Sequence, residues 1–120
     1  MNGVKVRFLN RDDILSRLVS LARQLLASNT DVIEVSLFGS LARGNYDPES
    51  DADIFILLKE DPRRFTDRIP EFLNHFSNVG LPVEVFPYTL EEISKMEDRS
   101  FIKTIQKEKM ELYSRSLFEN

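Results

Sequence analysis

The fold of this chain is decided by an apolar run that ends at a glycine and passes directly into a short turn. Run and turn read Val32-Ile33-Glu34-Val35-Ser36-Leu37-Phe38-Gly39-Ser40-Leu41-Ala42-Arg43-Gly44. The part before the first glycine is short and rich in β-branched residues, which predicts a strand. The part after it predicts a short helical turn over residues 41–43, closed by the second glycine.

Helical periodicity precedes this strand, and a second strand follows the turn. Apolar residues recur at helical spacing over residues 11–28, and Asn10 with Asp13 resembles a capping pair, so a helix is predicted there. Residues 44–50 are rich in turn formers. The apolar run Ala52–Leu58 that follows them predicts a buried strand.

The next helix has two candidate starts. Asp61 and Pro62 offer an N-cap and a proline at the first helical position, and helical spacing then continues to Phe76. Pro70 interrupts that pattern. The helix therefore either begins near Pro70 after a looser turn or is kinked there.

The last third of the chain contains a third strand and more helix. Val83–Phe86 predicts a short strand closed by Pro87, and residues 89–92 form a capping box that opens a helix. A further helical stretch covers residues 101–105, and residues 111–113 are a candidate final strand. This order predicts one α/β (α+β) domain over residues 1–120, with a small mixed sheet covered by helices on one face.

Composition and charge exclude several classes of protein. Hydrophobic residues make up 42% of the 120 residues and charged residues 30%, which is typical of a globular domain. The net charge of −4 gives no overall basic field, so nucleic acid is not the expected direct substrate. With no cysteine and one histidine, any metal must be held by oxygen ligands. No leader-like or membrane-length apolar segment occurs, which predicts a cytoplasmic protein without membrane contact.

Three acidic residues form a candidate metal site. Asp51 and Asp53 are two residues apart at the start of the second strand, so their side chains are expected on one face. Two such carboxylates are unfavourable unless cations neutralise them, and hard oxygen ligands select Mg²⁺ or Mn²⁺. Glu84, which alternates with two valines on the third strand, is the candidate third ligand. The alternatives are a solvated turn for the aspartates and an exposed strand carboxylate for Glu84.

The glycine turn is a candidate phosphate-binding element. Gly39 lets backbone N–H groups approach a phosphate, the start of a helix adds partial positive charge, and the Ser40 hydroxyl is a further donor. Arg43 either pairs with a phosphate or faces water. Asn45 stands where a Walker A loop requires lysine, so a P-loop NTPase is rejected.

The remaining conspicuous side chains are predicted to be structural. His75 has no partner pattern and is expected to be an ordinary, partly exposed residue. Helical or strand spacing assigns four aromatic residues to the core rather than to base stacking: Phe65, Phe72, Phe76 and Phe86. No motif for recognition of a nucleobase is visible.

Taken together, the linked motifs resemble those of the polymerase-beta nucleotidyltransferase superfamily. The strings Gly39-Ser40-Leu41-Ala42-Arg43-Gly44 and Ser50-Asp51-Ala52-Asp53, with a later acidic strand, look most like its minimal nucleotidyltransferase (MNT) branch. The resemblance covers essentially the whole chain and implies the polymerase-beta-like nucleotidyltransferase fold. Many members have aspartate at the third acidic position, where this chain has Glu84.

The resemblance implies a two-metal transfer of a nucleoside monophosphate from a nucleoside triphosphate to a hydroxyl. Asp51 and Asp53 would bridge two Mg²⁺ or Mn²⁺ ions, and Glu84 would hold the ion that activates the acceptor. Two ions about 3.5–4 Å apart stabilise both the attacking and the leaving oxygen. Gly39 and Ser40 would grip the β and γ phosphates.

The resemblance also implies a partner. MNT proteins usually accompany a HEPN-type protein, often as a toxin and antitoxin pair, so transfer of AMP from ATP to a partner tyrosine is the first hypothesis. One alternative is a non-catalytic antitoxin subunit that masks its partner by contact. The other is a small-molecule nucleotidyltransferase that completes its pocket as a homo-oligomer.

Overall fold

The computed structural model describes residues 10–47 and 49–115. One four-stranded sheet, in the order β3-β2-β1-β4, organises this part of the chain. Strand β1 is antiparallel to both of its neighbours, whereas β2 and β3 are parallel, so the predicted mixed sheet is confirmed. The elements are α1 (Arg11–Ser28), β1 (Val32–Phe38), α2 (Gly39–Arg43), β2 (Ala52–Leu58), α3 (Phe65–His75), β3 (Val83–Thr89), α4 (Leu90–Met96), α5 (Ser100–Glu108) and β4 (Met110–Ser114).

Helix α1 and strands β1 and β2 begin and end where the sequence predicts, whereas α2 begins at Gly39, two residues before the predicted turn. Asn10 caps α1, since its side-chain oxygen accepts a hydrogen bond from the backbone N–H of Asp13 at 3.2 Å. Every residue of β1 is buried, which agrees with a central strand that has a neighbour on each side. The capping box that opens α4 at Thr89 and the final strand β4 are also confirmed.

Helix α3 begins at neither of its two predicted starts. It starts at Phe65, and Pro70 lies inside it. Residues 61–64 stay outside the helix because the Asp61 carboxylate accepts from the backbone and guanidinium N–H groups of Arg63. The buried guanidinium of Arg68 also donates to the backbone carbonyls of Asp61 and Arg63. These bonds fix a turn where the sequence suggests a first helical turn.

Strand β3 is longer than predicted. Pro87 was expected to close it at Phe86, but the strand runs through Pro87 to Thr89, and Pro87 pairs with Ile56 of β2. Because β3 lies at the edge of the sheet, a residue without an N–H group is tolerated there. The Pro87 carbonyl accepts a 3.0 Å hydrogen bond from Arg68, which ties α3 to this edge.

Helices pack on both faces of the sheet, rather than on the one face that the sequence predicts, and the larger layer is formed by α1 and α3. Helices α1 and α3 bury Ile14, Leu18, Phe72 and Phe76 against alternate residues of β1 and β2. On the opposite face a smaller cluster forms where Ile102 and Ile105 of α5 pack against residues of the sheet, chiefly Phe38 and Phe55. Partly buried apolar side chains of β2, β3 and α4 extend this second cluster. None of the helices in the described ranges is both long and apolar enough to cross a membrane.

Candidate active site

Two of the three predicted acids are brought side by side by the register of the sheet. Asp53 of β2 lies directly opposite Glu84 of β3 in the parallel ladder. Adjacent strands are about 4.8 Å apart, so the two carboxylates are neighbours on one face. The residues that flank them, Ala52, Ile54 and Val85, are buried in the core under the other face.

Asp51 lies immediately before β2, because the strand begins at Ala52 rather than at Asp51. The backbone N–H of Ala52 donates to the Pro82 carbonyl at 2.9 Å, which joins the starts of β2 and β3. Asp51 is therefore at the end of the loop that enters the sheet. Its negative charge still acts on Asp53, as the pKa of Asp53 shows.

The pKa of Asp53 is raised to about 6. Burial of the carboxyl is the largest cause, followed by the charges of Glu84 and Asp51, while the charge of Arg43 opposes the shift. The charges of Glu84 and Asp51 both act on Asp53. Their mutual repulsion is the condition that a bound cation would relieve.

The glycine turn lies against the Asp53 carboxylate. Phe38, the last residue of β1, is paired with Asp53 of β2. The next residue, Gly39, therefore lies close to Asp53. Gly39 has φ +78°, and a Cβ added there would collide with the Asp53 carboxylate, lying 3.3 Å from Cγ and closer still to Oδ2. Glycine is therefore required both for backbone conformation and for space.

The side chain of Arg11, which the sequence analysis did not identify, binds the backbone of helix α2. The Arg11 side chain donates to the carbonyls of Leu41 at 2.9 Å and Ala42 at 3.1 Å. These are carbonyls at the end of a short helix, which have no partner within it. Arg11 thereby fixes the turn that carries Gly39 and Ser40. No local pattern could reveal this contact, because the partners are thirty residues apart in the chain.

Arg43 is placed between the acids and α5. Its guanidinium donates to the Glu108 carboxylate at 2.8 Å, and both side chains are partly exposed. Its charge also lowers the pKa of Asp53. Arg43 is thus partly exposed and paired with another carboxylate, and its pairing with a phosphate stays a prediction.

If the turn binds a triphosphate, as the resemblance implies, replacing Glu108 by glutamine is expected to tighten binding of ATP by up to about fivefold, because it frees Arg43 to pair with phosphate. An exposed ion pair is worth about 0.2–1 kcal/mol, which limits the gain to this range. Titration calorimetry with Mg²⁺-ATP measures it. Glu91→Gln is the matched control, since it removes one exposed carboxylate paired with Lys95 elsewhere on the surface. Equal effects of the two substitutions would show that only net charge matters.

The residues fit hard cations by their chemistry. Asp51, Asp53 and Glu84 offer carboxylate oxygens, the ligands that Mg²⁺ and Mn²⁺ prefer. Across residues 10–47 and 49–115, however, no group of three His, Cys, Asp or Glu side chains is arranged so that it could hold a metal ion. Sheet register brings Asp53 and Glu84 together, and the entry loop adds the charge of Asp51. The metal-binding role of the three acids stays a prediction.

A buried polar cluster on the same face of the sheet was also missed by the sequence analysis. Glu34 accepts hydrogen bonds from Lys109 Nζ at 2.8 Å and from the Ser36 hydroxyl. The Lys109 ammonium also lies 5.6 Å from the centroid of the Phe55 ring. With its charges paired, this cluster attaches the junction between α5 and β4 to the sheet.

The remaining predicted structural residues are only partly confirmed, because Phe65 and Phe86, assigned to the core by their spacing, are only partly buried. His75 is partly exposed, and its Nε2 lies 2.7 Å from the Leu21 carbonyl, which joins α3 to α1. Phe72 and Phe76 are fully buried. A cleft of about 640 Å³ lies at the far end of β2 and β3, lined in part by Lys59, Asp61 and Thr89. None of the predicted site residues lines that cleft.

The fold and the site together define the class of protein: a mixed sheet that presents paired acids beside a glycine-serine turn is the architecture of a nucleotidyltransferase. The comparison of families agrees with this conclusion. The chain belongs to the nucleotidyltransferase domain family, whose sequence model matches residues 15–113. That range includes every residue predicted for the site.

One known protein is similar to this chain over a short segment of sequence, and solved structures share its fold. A segment of 28 residues is 68% identical to MJ0141 of Methanocaldococcus jannaschii, provisionally assigned as a protein adenylyltransferase, and covers 23% of this chain and 28% of that protein. A provisionally assigned nucleotidyltransferase from Sulfolobus solfataricus has the same fold, at 23% identity over 91% of each chain with a TM-score of 0.52. A toxin-antitoxin structure with AMP-PNP is similar at 17% identity over 90% of this chain and 76% of that one, with a TM-score of 0.52.

Proposed function

We propose that this protein transfers AMP from ATP to a hydroxyl on a partner protein, with divalent metal ions. The observation that carries the proposal is the register of Asp53 with Glu84, together with a glycine turn that leaves space for the Asp53 carboxylate. The short, highly identical match to MJ0141 supports protein adenylylation. The fold shared with a toxin-antitoxin structure that holds AMP-PNP supports ATP as the donor.

Each residue has a part in this proposal. Asp51 and Asp53 would hold two Mg²⁺ ions, and Glu84 would help to hold the ion beside the acceptor. When bound, the ions polarise the phosphate and neutralise the charge that develops on the leaving group. The acceptor oxygen forms a bond to the α-phosphorus as the bond to pyrophosphate breaks. Glu84 would accept the proton released by the hydroxyl.

The triphosphate is bound by the turn. Backbone N–H groups at Gly39 and Ser40, with the Ser40 hydroxyl, donate to the β and γ phosphates. Arg43 exchanges the Glu108 carboxylate for phosphate, which returns positive charge to a site that is otherwise acidic. The match to the family model spans this whole turn.

The acceptor hydroxyl belongs to a HEPN-type toxin in the cytoplasm, with this chain as its antitoxin. Mg²⁺-dependent transfer from α-³²P-labelled ATP tests the proposal, with the protein alone and with the product of the adjacent gene. Label is expected on a tyrosine of the partner, and Asp51→Ala with Asp53→Ala should remove it.

Three other results would contradict this proposal. Tight binding of the partner without label in any Mg²⁺ or Mn²⁺ condition would identify a masking subunit. Label on a small hydroxyl compound in the absence of the partner would identify a small-molecule transferase, and a homodimer with a shared cleft would accompany it. Equal labelling by the double aspartate variant would place the chemistry at another site.

A further inference from the structure

One large aromatic side chain is exposed beside the candidate active site. Phe101, near the start of α5, is 43% exposed. Its ring centroid lies 6.0 Å from that of Phe38 and 5.6 Å from that of Phe86, and the Phe38 and Phe86 centroids are 5.2 Å apart. These contacts hold the Phe101 ring in place from one side. The other side of the ring is open to solvent.

The two rings beneath Phe101 belong to the strands that carry the site. Phe38 precedes Gly39 and is paired with Asp53 across the β1-β2 ladder. Phe86 follows Glu84 by two residues on β3, so the two side chains share one face. The aromatic cluster Phe38-Phe86-Phe101 therefore borders the acids and the phosphate-binding turn on the same face of the sheet.

The size of the exposed surface indicates a small planar ligand. The residues around Phe101 along the chain are polar and exposed: Glu97, Asp98, Arg99, Ser100 and Lys103. In the described ranges the other large exposed apolar residues are Leu73, Leu90 and Tyr113, and none of them belongs to the aromatic cluster. Association of two proteins buries a broad patch centred on several anchors. A single ring in a polar rim has the area of one heterocyclic base.

We propose that Phe101, supported by Phe38 and Phe86, is the platform on which the base of the nucleoside triphosphate stacks. The inference rests on the proposed function, which places the triphosphate at Gly39 and Ser40. Stacking needs only the flat face that every base has, so the platform supplies affinity without selecting a base. It also accounts for nucleotide recognition in a chain that lacks a visible base-reading motif.

Calorimetric titration with two probes tests the platform: Mg²⁺-ATP, and inorganic tripolyphosphate with Mg²⁺, which has the phosphates and no base. Stacking is worth about 1–3 kcal/mol per base, or roughly 5- to 150-fold in affinity. Phe101→Ala is expected to lower the affinity for ATP by a factor in that range and to leave the affinity for tripolyphosphate unchanged. Phe101→Trp is expected to restore ATP binding. Leu73→Ala, which truncates an exposed apolar side chain on α3, is the control and should change neither affinity.

Each other outcome overturns the platform. Unchanged ATP affinity in Phe101→Ala means that the base does not contact this ring. An equal loss for both probes means that Phe101 shapes the turn and not the base subsite. If the unaltered protein binds tripolyphosphate as tightly as ATP, the base contributes nothing. If it binds neither probe, the proposed function fails together with the platform.

Discussion

Replacing Asp53 by asparagine is expected to reduce nucleotidyl transfer strongly and yet to stabilise the metal-free protein. Asparagine keeps the shape of the side chain but cannot supply the negative charge that two Mg²⁺ ions require. Ions of this kind contribute several kcal/mol to the transition state, so transfer should fall by about 10²-fold or more. The stabilising effect follows from the electrostatics of the folded protein without metal.

The stability effect has a defined pH window. The pKa of Asp53 is raised from 3.8 to about 6 in the folded protein, so folding favours the protonated carboxyl. That contribution to stability is complete below about pH 3.8 and is lost as the pH rises through about 6. After allowance for partial solvent exposure, the cost of the charged form at pH 8 is on the order of 1 kcal/mol. Asparagine never bears this charge.

Thermal melts in EDTA at pH 5 and pH 8 measure the difference between Asp53→Asn and the unaltered protein. The variant should gain several degrees at pH 8 and about half as much at pH 5, which lies inside the window between the two pKa values. Asp61→Asn is the control of opposite sign, because the hydrogen bonds from Arg63 lower the pKa of Asp61. Its loss should therefore destabilise the protein at pH 8. A lower melting temperature for Asp53→Asn at pH 8 would show that the acids do not repel one another.

Replacing Gly39 by alanine is expected to reduce both stability and transfer more than the same change at Gly44. Both glycines have positive φ, +78° at Gly39 and +86° at Gly44, so each alanine costs roughly 1–2 kcal/mol of backbone strain. At Gly44 nothing lies within 4 Å of the added Cβ, whereas at Gly39 the Asp53 carboxylate occupies that space. Only the Gly39 variant must displace a group of the site.

Comparing the two alanine variants separates the effect of backbone strain, which both share, from the effect of the collision with Asp53, which only Gly39→Ala has. Gly44→Ala should lower the melting temperature by about 5 °C and retain most of the transfer activity. Gly39→Ala should lose about as much activity as Asp53→Asn, and should be less stable than Gly44→Ala. Chemical denaturation and label transfer, measured on the same preparations, give both quantities. Equal transfer activity in the two variants would show that the space left by Gly39 is not needed for the function of Asp53.

Local patterns were sufficient for most of the fold. Helix α1 with its Asn10 cap, strands β1 and β2 and the capping box of α4 depend on residues within a few positions of one another. Interactions of this range are readable from sequence because spacing alone determines which side chains meet. The predictions differ from the structure at the starts of α2 and α3 and at the end of β3. For α3 and β3, contacts between side chains and backbone or the position of the strand in the sheet decided the outcome. Arg68 holds the turn before α3, and the edge position of β3 lets that strand continue through Pro87.

For the site, the sequence by itself determined which residues are candidates: the acids at 51, 53 and 84, the glycine-serine turn, and Arg43. Only the tertiary structure decided the positions of these residues relative to one another. Sheet register places Asp53 opposite Glu84, the Asp53 carboxylate fills the space that Gly39 leaves, and α5 brings Glu108 to Arg43 and Phe101 to Phe38. Spacing along the chain sets which face a side chain occupies, whereas pairing between strands and the return of a distant helix set its neighbours.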